Sequence, residues 1–255
     1  MTLTIDVGNS NLTGGVFCDE KMVLQFRKTT HKDASSDEIG IFLRSVLREN
    51  QIDPSKITKI GVCSVVPPIN YSLASGISKY FGKEPLFIQS GIKTGLKLKV
   101  PNPKEVGADL IADSIGASSL FPDRNLIIVD LGTANKILVV DKNKDFVGCT
   151  ISVGLKIGMK SLTSSAAQLM DVSLIPPKRI IGKNSVDSLN SGATYGTVCM
   201  IEGMAEKIER ELGYKCTKIL TGGNSYIIKD IINKDFIFEP TLILDGLYQI
   251  YLKNK

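Results

Sequence analysis

Residues 2–6 and 12–17 are short β-rich runs separated by Gly8-Asn9-Ser10, and residues 22–26 resume the pattern after Asp19-Glu20. This spacing predicts three strands joined by tight turns, an antiparallel meander. The period then changes. Between residues 35 and 50, Ile39, Phe42, Leu43, Val46 and Leu47 fall on one helical face, and Ser35-x-x-Glu38 reads as a capping box, so this helix is expected to pack on the meander. A strand at 57–63, a helix at 70–81 and a strand at 85–88 continue as alternating α/β structure. A Lys-rich extended segment follows, ending at Pro101-Asn102-Pro103, and a helix is expected from 105 to 120.

At that point the opening pattern returns. Leu3-Thr4-Ile5-Asp6-Val7-Gly8-Asn9-Ser10-Asn11 is echoed by Ile127-Ile128-Val129-Asp130-Leu131-Gly132-Thr133-Ala134-Asn135, each an apolar strand ending in Asp-x-Gly and a small polar residue. Strand-like runs at 136–140 and 146–151 extend the echo to the following hairpin. Two halves of similar α/β architecture follow, residues 1–118 and 119–255, with the break near Ser118-Ser119 and Pro122-Asp123, and a cleft is expected where similar halves face each other. The second half should carry helices at 155–169 and 185–212, a strand at 218–221, a helix after Asn224 and a terminal helix at 241–252.

Composition narrows the chemistry. Of 255 residues 43% are hydrophobic, enough for a full core without a disulfide or metal staple. The net charge of +5 comes from Lys residues scattered along the chain, which argues against nucleic acid and suits either an anionic small substrate or a solvated surface. Five widely spaced cysteines with no Cys-x-x-Cys pair read as thiols in a reducing compartment. No signal-peptide pattern and no membrane-spanning stretch is read, so a cytoplasmic location is expected. His31, the single histidine, lies in a polar loop-like stretch, which removes Ser-His-Asp, Cys-His and zincin chemistry.

A glycine turn after a strand lets the backbone approach an oxyanion and present its N–H groups, so both Asp-x-Gly turns can hold phosphate; a single copy would equally be an ordinary hairpin. The carboxylates Asp6 and Asp130 beside such turns imply an intervening cation, Mg²⁺. A third turn, Thr221-Gly222-Gly223-Asn224, suits a ribose or adenine against bare backbone, or is a Gly-Gly turn capped by Asn224. The chain contains neither G-x-x-x-x-G-K-[ST] nor G-x-G-x-x-G, so a nucleotide would have to use the duplicated turns.

Asp6-Val7-Gly8-Asn9-Ser10, Ser64-Val65-Val66-Pro67, 102–109 (NPKEVGAD) and Asp130-Leu131-Gly132-Thr133-Ala134 resemble, in order, the motifs of type III pantothenate kinases. Gly154-Leu155, Ile181-Gly182-Lys183-Asn184-Ser185 with Ser191-Gly192, and Thr221-Gly222-Gly223 continue that order over nearly the whole chain. The resemblance implies two ribonuclease H-like, actin-like domains with mixed five-stranded sheets flanked by helices, and ATP in the cleft between them. It implies phosphorylation of pantothenate to 4′-phosphopantothenate, the first step of coenzyme A biosynthesis, by a homodimer using Mg²⁺ and K⁺ or NH₄⁺. By position, Asp6, Val7, Gly8, Asn9, Ser10, Asn11, Leu12, Thr13 and Thr133 would contact ATP together with Gly222 and Gly223. Asp6 would reach Mg²⁺, through water if not directly, and Asp130 would bind the monovalent cation. Asp109 would be the general base, and Val100, Gly107, Ala108, Asp109, Leu110 and Ser185 would border pantothenate.

The chain departs from the family pattern at particular positions. Leu110 stands where an Arg usually follows the base, Val100-Pro101 where an aromatic and an Asp are usual, Asn135-Lys136 where a Thr-Thr pair is usual, Cys149 where a glycine is and Val153 where a proline is. Losing one charge-assisted hydrogen bond costs about 1.5–3 kcal/mol. Lys136 either brings its ammonium toward phosphate or is a solvated hairpin side chain. A nucleotide-binding regulatory protein with impaired turnover and an actin-like phosphatase are the competing readings. Gly192, Gly196 and Gly203 on the 185–212 helix suit a dimer interface, packing on a nucleotide, or internal core contact.

Overall fold

In the opening strand β1 (Thr2–Val7), every side chain but one is buried, and the exception is Asp6. A strand covered on both faces belongs at the middle of a sheet. The computed structural model, which describes residues 1–89, 92–166, 169–170 and 172–254, puts it there. β1 pairs antiparallel with β2 (Asn11–Cys18), which pairs antiparallel with β3 (Lys21–Thr29). On its other side β1 runs parallel to β4 (Lys59–Ser64), followed by β5 (Leu86–Phe87), giving the order β3-β2-β1-β4-β5.

Two helices cover one face of this sheet. α1 (Ser36–Glu49) begins with the expected capping box, Glu38 N–H donating to Ser35 Oγ (3.2 Å) and Ser35 N–H to Glu38 Oε2 (2.7 Å). α2 (Pro67–Phe81) starts earlier than residue 70 because Pro67 and Pro68 occupy its first turn, where a missing N–H costs nothing, and it ends at Gly82, whose φ is +63°. Ile39, Leu43, Leu47, Ile69, Leu73 and Ile77 join Leu3, Ile5 and Val62 in one core.

On the other face lies α3 (Ala108–Leu120). It starts later than predicted: Pro103–Glu105 form a separate 3-10 turn, and extended Val106 interrupts the helix before Ala108. The last helix, expected in the second half, packs here as well. Leu244, Leu247, Tyr248 and Ile250 are buried with Phe17, Cys63, Ala112 and Ile115, and the Tyr248 ring stacks on Phe17 at 4.4 Å. At about 1.5–3 kcal/mol for each large apolar side chain buried, this contact sets the allegiance of residues 243–255. The first unit therefore comprises Met1–Leu96, Pro101–Ser119 and Ile243–Lys255, and the second Lys97–Val100 and Leu120–Leu242.

The second unit is built on β6 (Lys97–Leu98), β7 (Leu126–Leu131), β8 (Ala134–Val140), β9 (Asp145–Val153), β10 (Thr217–Thr221) and β11 (Phe236–Phe238), in the order β11-β10-β7-β8-β9-β6. Without β6 this is the order and sense of the first sheet repeated, which makes the echo in the sequence a duplicated topology. Six strands replace the expected five because the Lys-rich extended segment adds β6 parallel to β9. β11 is too short to show a pattern in the sequence.

α4 (Leu155–Ser165) stops short of residue 169, and positions 167 and 168 of the predicted helix lie outside the described residues. The final helix is α6 (Leu242–Lys253), and the one before it, α5 (Ser185–Leu212), has the predicted bounds, with Val198, Ile201 and Ala205 packed on Ile127, Val129 and Leu220. Only a 3-10 turn, Ser225–Ile227, follows Asn224 where a helix was expected. Among the described residues no helix is long and apolar enough to cross a membrane.

Candidate active site

The first Asp-x-Gly turn joins β1 to β2 through residues 8–10. It is closed by Gly8 N–H donating to Asn11 O (3.0 Å), and Thr30 clamps it, its hydroxyl donating to Gly8 O (2.7 Å) and its N–H to Ser10 O (3.1 Å). Asn9 and Ser10 are exposed, while Asp6, Gly8, Asn11 and Thr13 are half-buried. Val7 and Leu12 are core residues, so any contact they make with a ligand is through backbone.

Asp6 is the register partner of Cys63 on the parallel strand β4. Burial pushes the Cys63 thiol well above its ordinary range, and the charges of Asp6, Asp109 and Asp113, with a hydrogen bond to Asp6, push in the same direction. Cys63 also clusters with Ala112 and Ile115 of the helix that carries Asp109 and Asp113. Asp109 lies in the first turn of α3, half-buried, with Leu110 N–H donating to its Oδ1 at 2.9 Å. That bond fixes the plane of the carboxylate at the start of α3. A Cβ on Gly107 would collide with Asp109 Oδ1, so any larger residue before Ala108 would push the carboxylate out of this position. Asp113, buried one turn further along α3, and Cys63 were missed in the sequence; the i, i+4 spacing of Asp109 and Asp113 was the available signal. Leu110, expected beside pantothenate, is 7% exposed, and its side chain belongs to the interior of the unit.

In the second unit the equivalent turn joins β7 to β8 through Gly132 and Thr133, one residue shorter than the first, and is closed by Gly132 N–H donating to Ala134 O (3.1 Å). Thr133 is exposed. Asp130, at the strand end, is contacted by Lys136, whose Nζ lies 2.5 Å from Asp130 Oδ2. Both side chains are largely buried, 15% exposed for Lys136 and 11% for Asp130. Lys136 is thus neither a solvated hairpin side chain nor directed past Asp130 to phosphate.

The third turn packs directly on the second. Asn224 N–H donates to Leu131 O and its side-chain amide to Gly132 O, both at 2.8 Å, so Asn224 braces the phosphate-type turn and does not cap a helix. Gly154, at the N-cap of α4, approaches so closely that a Cβ there would collide with Thr133 O. Asp130, Thr133, Gly222 and the start of α4 therefore form one constellation within the unit.

A cavity of about 890 Å³ opens beside it, walled by α4 and by the face of α5 that carries Ser185, Ser188, Gly192 and Gly196. Ser185, the first residue of α5, stands at its edge, and Asn135, 3% exposed, lines it while donating to Val153 O at 3.0 Å. Val100, half-buried, follows β6 and is not among the lining residues. Among the described residues no group of three acidic, Cys or His side chains could hold a metal by itself. Mg²⁺ bound mainly by nucleotide phosphates and water needs only one or two carboxylates, and half-buried Asp6 beside the exposed turn fits that need. A separate monovalent ion on Asp130 does not fit, since the Lys136 ammonium already lies against that carboxylate.

The duplicated sheet with a glycine turn ending each central strand is the actin-like fold. Component A of the (R)-2-hydroxyglutaryl-CoA dehydratase of Acidaminococcus fermentans is similar to the chain in fold, with a TM-score of 0.58 at 11% identity over 98% of this chain and 96% of that one. The family described as type III pantothenate kinase matches residues 2–207. A type III pantothenate kinase of Legionella pneumophila (strain Corby) is 40% identical over 100% of this chain and 99% of its own length, and one of Agathobacter rectalis is 36% identical over 100% and 98%. The chain belongs to the type III pantothenate kinase family.

Proposed function

We propose that this protein phosphorylates pantothenate with ATP, giving 4′-phosphopantothenate and ADP, the first step of coenzyme A biosynthesis. The observation that carries the reading is Asp109: a half-buried carboxylate, fixed by the Leu110 N–H at the start of a helix that packs through Ala112 and Ile115 in one cluster with Cys63, the register partner of Asp6. Asp109 accepts the proton of the primary hydroxyl as that oxygen bonds to the γ-phosphorus and the bond from phosphorus to the β,γ-bridging oxygen breaks, leaving ADP. The turn at residues 6–13 and the turn at Thr133 with Gly222 and Gly223 are each proposed to hold ATP through backbone N–H groups and small polar side chains. Mg²⁺, when bound with ATP, neutralises phosphate charge, and Asp6 would hold it, through water if not directly. Val100, Gly107, Ala108, Leu110 and Ser185 are the proposed pantothenate contacts, Leu110 through its backbone because its side chain is buried.

A homodimer is proposed as well. Gly192, Gly196 and Gly203 of α5 have open space where a Cβ would be, which disfavours internal core contact for them; Gly192 and Gly196 face the cavity, so the dimer rests on Gly203 and on Ile151, Val153, Ile157, Ile180 and Ile181, exposed in the same unit. The five cysteines are free thiols, which supports a reducing compartment such as the cytoplasm. A regulatory protein with impaired turnover is favoured by one observation: the residue directly after the base is Leu110, a buried apolar side chain that supplies no cation there. Release of ADP measured with and without pantothenate separates the readings: the kinase releases ADP only with the acceptor. Nucleotide binding without acceptor-dependent ADP would favour the regulatory protein.

A further inference from the structure

Asp130 and Lys136 are directly opposed residues of the antiparallel strands β7 and β8. Opposed residues project to the same face of a sheet, so the Lys136 stem needs no detour to bring its ammonium to Asp130 Oδ2, and the contact is 2.5 Å. The other carboxylate oxygen, Oδ1, is walled by the third turn, because Gly222 passes so close that a Cβ there would collide with it. The carboxylate is therefore enclosed by protein on one side and by a tethered cation on the other. With 15% and 11% of the two side chains exposed, the pair is shielded from solvent and from salt.

A carboxylate beside a phosphate-type turn repels the anion that the turn is built to receive, so its charge has to be balanced. A dissolved monovalent cation can do this, and so can a side chain. We propose that the Lys136 ammonium is the resident counter-cation of Asp130, so that this site takes no K⁺ or NH₄⁺ from solution and turnover is independent of both. The inference deepens the kinase reading and rests on it for turnover, but the state of the cation site can be read without catalysis.

The test compares wild type and Lys136→Thr in potassium, ammonium and tetramethylammonium chloride at equal ionic strength, tetramethylammonium being too large for such a site. A cation that binds the native state raises the melting temperature by mass action, so the first readout is the melting temperature of the protein alone. Wild type is expected to melt at the same temperature in all three salts, and Lys136→Thr to be stabilised by K⁺ or NH₄⁺ specifically. The second readout is MgATP affinity by calorimetry, expected to be salt-independent in wild type and about five- to a hundredfold tighter with K⁺ than with tetramethylammonium in the variant. The third is kcat/KM, expected to follow the same pattern. A K⁺-specific stabilisation of wild type overturns the proposal, and so does a Lys136→Thr variant that folds yet responds identically to all three salts. If the variant does not fold, the wild-type comparison decides. Failure of wild type to bind MgATP in any salt would sink the kinase reading, while the melting temperatures would still judge the cation site.

Discussion

Gly222 sits with φ at +91° against Asp130, so close that a Cβ at 222 would strike the Asp130 carboxylate and lie 2.5 Å from Leu131 N. The third turn can dock on the second only because position 222 has no side chain. Gly222→Ala is expected to cost about 1–2 kcal/mol from the left-handed backbone alone, with the collision added. Thermal denaturation measures the loss, and calorimetry with MgATP should show weakened binding even where the variant remains folded.

Asp109→Asn keeps an oxygen to accept the Leu110 N–H but cannot take a proton from the acceptor hydroxyl. kcat is expected to fall by about 10²–10⁴-fold while the melting temperature stays near that of wild type. A variant as active as the parent would remove Asp109 from the role of base.

The five thiols should separate by environment. Burial, reinforced by the charges of Asp6, Asp109 and Asp113, holds Cys63 well above its ordinary range, and burial followed by Glu209 pushes Cys216 up to about 11. Cys149 and Cys199 are exposed. Mild alkylation at pH 8 followed by peptide mass analysis should label Cys149 and Cys199 and leave Cys63 and Cys216 unmodified until the protein is denatured.

Glu209, buried near the end of α5, accepts from Lys215 Nζ (2.7 Å) and Cys216 N–H (3.0 Å), with Lys218 at 3.7 Å. Burial alone would raise its carboxyl, but these partners outweigh burial and hold it below its ordinary 4.5. A lowered carboxyl contributes stability that is complete above its unfolded value and lost as the pH falls through the folded one. Acid denaturation should therefore show a component below pH 4.5 that is absent in Glu209→Gln, and the variant should be about 1–2 kcal/mol less stable at neutral pH. Denaturant titrations across this range provide the check.

Ile181 is 82% exposed in the unit that carries the open α5 glycines. If a second copy covers this face, Ile181→Asp should weaken the dimer in sedimentation, by about tenfold or more when a charge is forced into an apolar contact. An unchanged sedimentation coefficient would place any interface elsewhere.

Local pattern alone located much of this protein. The β-rich runs at 2–6 and 12–17, the capping box at Ser35 and Glu38, and the bounds of α5 depend on neighbours within a few residues, and the repeated Asp-x-Gly segment exposed the duplicated sheet before any coordinates. Membership of the family was equally legible, because ordered motifs are a property of the chain. Other features depend on groups distant in sequence. The attachment of α6 to the first unit follows from Tyr248 and Leu247 burying against Phe17 and Ala112, partners far away along the chain. Asp113 and Cys63 become visible as site neighbours only when Ala112 and Ile115 of α3 bury in one cluster with Cys63. The sequence left Lys136 open between reaching toward phosphate and a solvated hairpin side chain until the register of β7 and β8 put its ammonium on Asp130, and Leu110 gave no sign of turning inward. Periodicity is written into covalent neighbours, whereas charge pairing and burial are decided by whatever the folded chain brings alongside.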